Sequence, residues 1–297
     1  DLIVSRGLGD VYKRQFIFKG IIMTEVKKTY KHYVDGKFVR SESGKVYAID
    51  LKNEKYEIPL TSKKDLRDAV TSSKAGFIKW NSLTMYNKSQ ILYRLSEMIE
   101  GNKESYIILL QDHGLSKNEA KNDIENSINT IIWYAGLVDK WEQLTGNLNP
   151  VAGEYFNISH QEPIGVTFTL NSNSISLDDL VKSFLPALTV GCSVINFSEK
   201  NAVIALKLSE DINNSDFPAG SLNIIAGKFE NIVEDVGGHV EIKHAVIYDD
   251  ISKESKTIIG EKGSESVKRI SFQPPTSGLS SILPFIETKT VWHPKGK

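Results

Sequence analysis

The 297-residue sequence has a single cysteine, Cys192, and no apolar run approaching the ~20 residues that span a bilayer. One thiol excludes an intramolecular disulfide and any thiolate metal cluster, so a reducing cytoplasm is the expected compartment. Charge of one sign is also missing. With 36 basic and 37 acidic residues and a net charge of −1, nothing points to nucleic acid or to an anionic membrane surface. There is no internal repeat, no low-complexity tract and no Gly-x-Ser-x-Gly nucleophile elbow.

What is present is ordinary for a folded protein. A 40% hydrophobic, 25% charged chain of this length can bury a core in one large or two smaller domains. The segment from Ser5 to Gln15 resembles a translated transposase sequencing adapter, and Lys19-Gly20 suits a ribosome-binding stretch just before Met23. Residues 1–22 are therefore expected to lie outside the fold; the alternative is a genuine basic tail. Tyr33 to Val39 alternates around Asp35-Gly36, which predicts a tight hairpin, and Lys45 to Ile49 can form another strand. Ser62 is placed to cap a helix carrying Leu66, Ala69, Val70, Phe77 and Trp80. A second helix is expected from about Asn87 to Asp112, and a third from Ser116.

After Pro163 the texture changes. Short apolar strands at Ile164 to Leu170, Ser193 to Asn196, Leu222 to Ala226 and Ala245 to Tyr248 alternate with helical stretches at Leu177 to Thr189, Ala202 to Ile212 and Glu230 to Val236. That alternation predicts an α/β fold with a Rossmann-like parallel sheet and right-handed crossovers. Asp249 to Gly278 is polar and poorly periodic, and its mixed-charge stretch Lys253 to Lys268 reads as a solvated loop. Ile286 to Trp292 alternates strictly, as an antiparallel or edge strand does.

Four stretches, in order, resemble the aldehyde dehydrogenase superfamily: Tyr33 to Val39 with the helix ending at Trp80; Gln90 to Leu95; Glu162-Pro163-Ile164-Gly165-Val166 with Leu185 to Leu188 and Gly191 to Ile195; and Asp216 to Gly227. Glu287 to Trp292 looks like the family's last strand, which the resemblance implies pairs across subunits; the alternative is folding back on the Tyr33–Val39 hairpin. Only about sixty residues separate Gly227 from that strand, so the family's catalytic domain is expected to be largely absent. This contracted layout is similar to the second, non-catalytic domain of the tandem family-sixteen aldehyde dehydrogenases. The implied organisation is a degenerate cofactor-binding domain over 23–285 and a small antiparallel oligomerisation flap ending in the strand 286–297.

The resemblance also implies a chemistry against which the residues can be checked. A cysteine thiolate attacks the aldehyde, hydride passes to NAD(P), a carboxylate activates water, and an asparagine helps bind the oxyanion. Cys192 falls at the start of a core strand and is read as a buried small hydrophobe. The loop asparagine of the family falls on Ser174, with Asn171 and Asn173 nearby. Phe197 stands in place of a ribose-contacting lysine. Of the glycine-rich phosphate turn only Gly227 remains; Phe229 and Val233 occupy its later glycines, and Tyr248-Asp249-Asp250 replaces a Thr-Gly-Ser segment.

Gly220 to Lys228 is only a faint phosphate loop, and His239 and His244 are off helical metal spacing and read as solvated. The expectation is thus no catalytic, cofactor-binding or metal site, and no bound cofactor although the family uses NAD(P). The chain is read as a pseudoenzyme with a structural role, assembling with itself or with a complete aldehyde dehydrogenase. The rival reading is an NAD(P)-dependent aldehyde oxidoreductase, active alone or in a composite site.

Overall fold

The structure is a computed structural model and describes residues 28–171 and 173–296. The adapter-like segment 1–22 lies outside the described residues. The chain runs β1 (His32–Val34), β2 (Lys37–Val39), β3 (Val46–Asp50), β4 (Lys55–Pro59), α1 (Lys63–Ser82), α2 (Met85–Gly101), α3 (Lys103–Asp112), α4 (Lys117–Leu137), α5 (Trp141–Thr145), β5 (Asn147–Asn149) and β6 (Tyr155–Pro163). It continues through β7 (Val166–Leu170), α6 (Leu177–Lys182), α7 (Leu185–Val190), β8 (Ser193–Ser198), α8 (Ala202–Asn213), β9 (Leu222–Ala226), α9 (Val233–Gly238), β10 (Ile242–Ile247), α10 (Lys253–Ser264), β11 (Arg269–Phe272) and β12 (Ile286–Pro294).

The main sheet has the order β11-β10-β7-β8-β9-β1-β2. β11 to β9 in that order are mutually parallel, and β1 adds antiparallel to β9. The expected α/β architecture with a parallel sheet is the one observed. Side chains alternate across it with the two-residue period of a strand. Val194, Leu222 and Ile224 join a core beneath α2, α3, α4 and α6 to α8. Phe168, Ile195, Phe197 and Ile225 face Leu66, Ala69 and Val70 of α1 and the apolar residues of α9 and α10. Full burial of both faces explains why these strands read as short, mostly apolar segments, with buried Thr169, Asn196 and Asn223 among them.

Local chemistry accounts for several element boundaries. Asp35 and Gly36 both have positive φ (55° and 68°), the geometry of the two-residue turn joining β1 to β2. Ser62 caps α1 through a reciprocal capping box with Asp65, and Ser116 does the same for α4 with Glu119. Helix α1 then lies so close to the Pro218–Ser221 turn that a Cβ on Gly76 would sit 2.0 Å from the carbonyl carbon of Gly220. Only a glycine permits that approach.

Several expectations need correction. The helix expected over Asn87 to Asp112 is two helices, α2 and α3, broken at Asn102, whose side chain bonds Asp211 at 2.5 Å. Leu177 to Thr189 is likewise split into α6 and α7, because Phe184 leaves helical geometry and Pro186 opens the second helix. The mixed-charge stretch after Asp249 is not a solvated loop: Ser252 caps α10, whose Ile259 is fully buried, and β11 extends the main sheet. His244 is buried rather than solvated, with Nε2 2.8 Å from Ser271 Oγ.

The small flap is a three-stranded antiparallel sheet, β12-β6-β5. Within the chain, β12 does not fold back on the β1–β2 hairpin. It pairs with β6 over nine residues, from Ile286 opposite Pro163 to Pro294 opposite Tyr155. Asn149, Asn157, Ser159 and Thr290 form a polar ladder across one flap face.

Candidate functional site

In an open parallel sheet, ligands bind outside the carboxyl ends of the strands, where the strand order reverses. Here β7 is the reversal point, with β8 and β9 on one side and β10 and β11 on the other. The residues just beyond the strand ends are therefore the candidate site: Asn171 and Asn173 after β7, Glu199 after β8, Gly227 to Phe229 after β9, and Tyr248 to Asp250 after β10.

Each group is already engaged by the chain itself. Asn171 is buried in a polar network in which its amide donates to Asn196 Oδ1 at 2.8 Å, while Ser183 Oγ donates to its carbonyl at 2.5 Å. Asn196 in turn donates to Thr169 Oγ1 at 2.9 Å. A satisfied network of this kind is rigid, and it leaves Asn171 no free amide to offer a substrate oxygen. Asn173 donates to the carboxylate of Asp249, and Ser174 donates to Asp179 at 2.6 Å. Partial burial holds the Asp249 carboxyl above its usual range. Asp250 pairs with Lys256 at 2.7 Å, and Tyr248 is buried.

The turn after β9 is filled in the same way. Phe229 is 3% exposed and packs against Phe168 and Phe197, with ring centroids 6.0 and 6.1 Å away. Val233 is buried beside them. Glu199 supplies an anion from within: one carboxylate oxygen accepts from the N–H of Phe229 at 3.1 Å, and the other accepts from Lys228 Nζ at 2.9 Å. The backbone carbonyl of Glu199 is held by Tyr47 Oη at 2.8 Å, which ties the loop to the β3–β4 hairpin. Nothing in the sequence beyond the Glu199 and Lys228 charges signalled this contact, because their separation of 29 residues is bridged only by the fold.

Cys192 is fully buried at the start of β8, and its thiol donates to the Phe285 carbonyl at 3.4 Å. Burial pushes its pKa up to about 12, so the thiolate that attacks a carbonyl is not formed there at neutral pH. Lys88, also buried, reaches toward the same corner and stacks over Trp80 at 5.9 Å. Desolvation lowers the Lys88 ammonium from its ordinary range. Among the described residues there is no group of three His, Cys, Asp or Glu side chains able to hold a metal, and no helix is long and apolar enough to cross a membrane.

The profile of the aldehyde dehydrogenase family matches residues 38–274. This chain belongs to that family. The similar curated relatives include DhaS of Bacillus subtilis (strain 168), 30% identical over 278 residues, an omega-crystallin of Nototodarus sloanii, 27% identical, and human aldehyde dehydrogenase 1A1, 25% identical. These matches take in 88, 88 and 85% of this chain but only 53, 53 and 52% of the relatives, so the chain spans about half their length.

Solved structures agree on the fold. The aldehyde dehydrogenase of Bacillus cereus in complex with NAD+ superposes with a TM-score of 0.75 at 20% identity, over 82% of this chain and 50% of that one. The betaine aldehyde dehydrogenase of Staphylococcus aureus, also solved with NAD+, gives the same score over 83 and 51%. The aldehyde dehydrogenase fold thus extends over about four fifths of this chain.

Proposed function

We propose that the chain is a non-catalytic member of the aldehyde dehydrogenase family whose role is structural: it assembles with itself or with a catalytically complete relative. The observation that carries this reading is the self-filled phosphate turn, with the Phe229 ring and the Glu199 carboxylate where a pyrophosphate would need open backbone and positive potential. The residues present do not fit a dinucleotide there. The buried, protonated thiol of Cys192 and the committed amides of Asn171 and Asn173 support the same conclusion for the chemical step. The contracted stretch between β9 and β12 supports a likeness to the second domain of the tandem family-sixteen enzymes.

The assembly part of the reading rests on the flap. Leu148 of β5, Ile158 of β6 and Val291 of β12 stand directly opposite one another, and they are 60, 44 and 48% exposed. Phe156, 44% exposed, extends this apolar row along β6 on the same face. A row of this kind on an open-edged sheet is what an interface covers. Calorimetric titration with NAD and with NADP, together with light scattering, tests both halves. The expected result is no dinucleotide binding and a mass above that of one chain. Saturable NAD binding with aldehyde-dependent reduction would instead support the rival oxidoreductase reading.

A further inference from the structure

A cleft of about 450 Å³ opens between α4, α6 and the turn at Gly278. On α4, Asn126, Asn129, Thr130 and Trp133 share one helical face by their spacing of three, four and seven residues. The facing wall is the Asp178–Lys182 pair of α6, with Nζ and carboxylate 2.5 Å apart. Thr130 Oγ1 donates to the other Asp178 oxygen at 2.7 Å, which fixes the two walls against each other.

The lining selects a chemistry. Its one carboxylate and one ammonium neutralise each other, so there is no net field to attract a phosphate, a carboxylate or a cation. The carboxamides of Asn126 and Asn129 make no hydrogen bond among the described residues, which leaves two acceptors and four N–H donors free. A hydroxyl, which both donates and accepts at one atom, can satisfy either half of these carboxamides. Trp133 is 44% exposed and is held by an edge-on contact with Tyr134 at 4.8 Å, while Tyr134 is anchored through its hydroxyl to Ser281 at 2.6 Å. It offers one pre-ordered apolar ring face beside those polar groups.

We propose that this cleft binds a neutral, hydroxyl-rich small molecule, a pyranose sugar in its ring form. The C–H face of the sugar lies on the Trp133 indole, and its hydroxyls bond the Asn126 and Asn129 amides and the Asp178–Lys182 pair. The volume falls in the range of small-ligand sites, roughly 300–1,000 Å³. A nucleobase is disfavoured because it would need a second apolar wall where Asp178 and Lys182 stand. The proposal concerns binding alone and is independent of the assembly reading.

Saturation-transfer NMR on the full chain with glucose, galactose and maltose at millimolar concentration tests it, with adenosine as the comparison. The expected result is saturation of sugar C–H protons, lost in Trp133→Ala and weakened about tenfold in Asn129→Leu, with circular dichroism unchanged. If Trp133→Ala fails to fold, the exposed Asn129→Leu and Asn126→Ala carry the test. Absence of transfer to all three sugars, transfer that survives these substitutions, or transfer to adenosine alone would each overturn the proposal.

Discussion

The carboxylate of Glu199 accepts a hydrogen bond from the N–H of Phe229 at 3.1 Å while its second oxygen pairs with Lys228 at 2.9 Å. A side chain from the end of β8 thus neutralises the turn after β9. Replacing Glu199 with Ala frees one backbone donor and one ammonium. Inorganic pyrophosphate at low salt is then expected to bind the variant at least about tenfold more tightly than the parent chain, roughly 1.4 kcal/mol. Titration calorimetry reads the difference, and equal affinity in both would remove Glu199 from the argument. Because Glu199 is partly exposed, the loss of stability is expected to stay near 1 kcal/mol.

The contact between Gly76 and Gly220 predicts a steep penalty at a position that looks tolerant. Gly76→Ala puts a methyl 2.0 Å from backbone that cannot rotate away. Chemical denaturation is expected to show a loss of about 3 kcal/mol or more. Gly101→Ala, also helical but with nothing within 4 Å, is the control and should be neutral or slightly stabilising. A neutral Gly76→Ala would mean that α1 does not pack where it is placed.

These two relationships also mark what sequence reading can reach. The strands β7 to β10 were legible because burial on both faces writes them as short apolar runs, and the hairpin because Asp35-Gly36 has few other uses. The flap strands β5 and β6 were missed. Asn147 to Asn149 is too short for a pattern, and His160-Gln161-Glu162 is polar on both faces, since only pairing with β12 makes it a strand. At the candidate site the sequence names Asn171, Asn173, Gly227 and Phe229 one by one, because each position is read locally. The Glu199–Phe229 bond and the Asn171–Asn196–Ser183 network were not legible, because they join residues across strand ends that periodicity does not bring together.

Acid should unfold the protein earlier than its carboxylates alone require. His32 and His244 are both buried, and desolvation lowers each to about 4 against an ordinary value of 6.5. Asp65 near His32 partly offsets the shift, whereas Arg269 near His244 adds to it. Between those values the unfolded chain binds more protons than the folded one. The stability from keeping these rings neutral is therefore complete above pH 6.5 and drains as the pH falls toward 4. Each ring contributes on the order of 3 kcal/mol at full linkage. Denaturation midpoints measured from pH 7.5 to 4.5 should fall steadily. His244→Gln should flatten the slope, and an unchanged slope would show that His244 titrates normally.

Cys192 is expected to behave as a packing residue. Its thiol should label with a disulfide reagent only after unfolding, since burial keeps it protonated to about pH 12. Cys192→Ala should cost about 1 kcal/mol, the loss of one buried sulfur. Rapid labelling of the folded chain would instead place a reactive thiol at the head of β8.

The flap supplies the test of assembly. Deleting β12 would also strip β6 of nine paired residues, so a change in mass after truncation would mix unfolding with lost contact. Point substitutions on the apolar row separate the two. Ile158 and Val291 face each other and are 44 and 48% exposed, so their side chains contribute little to the fold of a single chain. Charging both, in Ile158→Lys with Val291→Lys, places like charges opposite each other and should lower the melting temperature by no more than about 5 °C, as a matched pair on the opposite face should too. Across an interface the same two ammonium groups would be buried without partners, at several kcal/mol. The expected outcome is a shift to single-chain mass in light scattering for the double variant. That matched pair, Ser159→Lys with Thr290→Lys, should keep the parent mass; loss of mass there too would shift the interface to the exposed Tyr155–Trp292 pair on that face. If the parent chain is already monomeric and stays so when mixed with a full-length family member, the flap carries no assembly role and its exposed row needs another explanation.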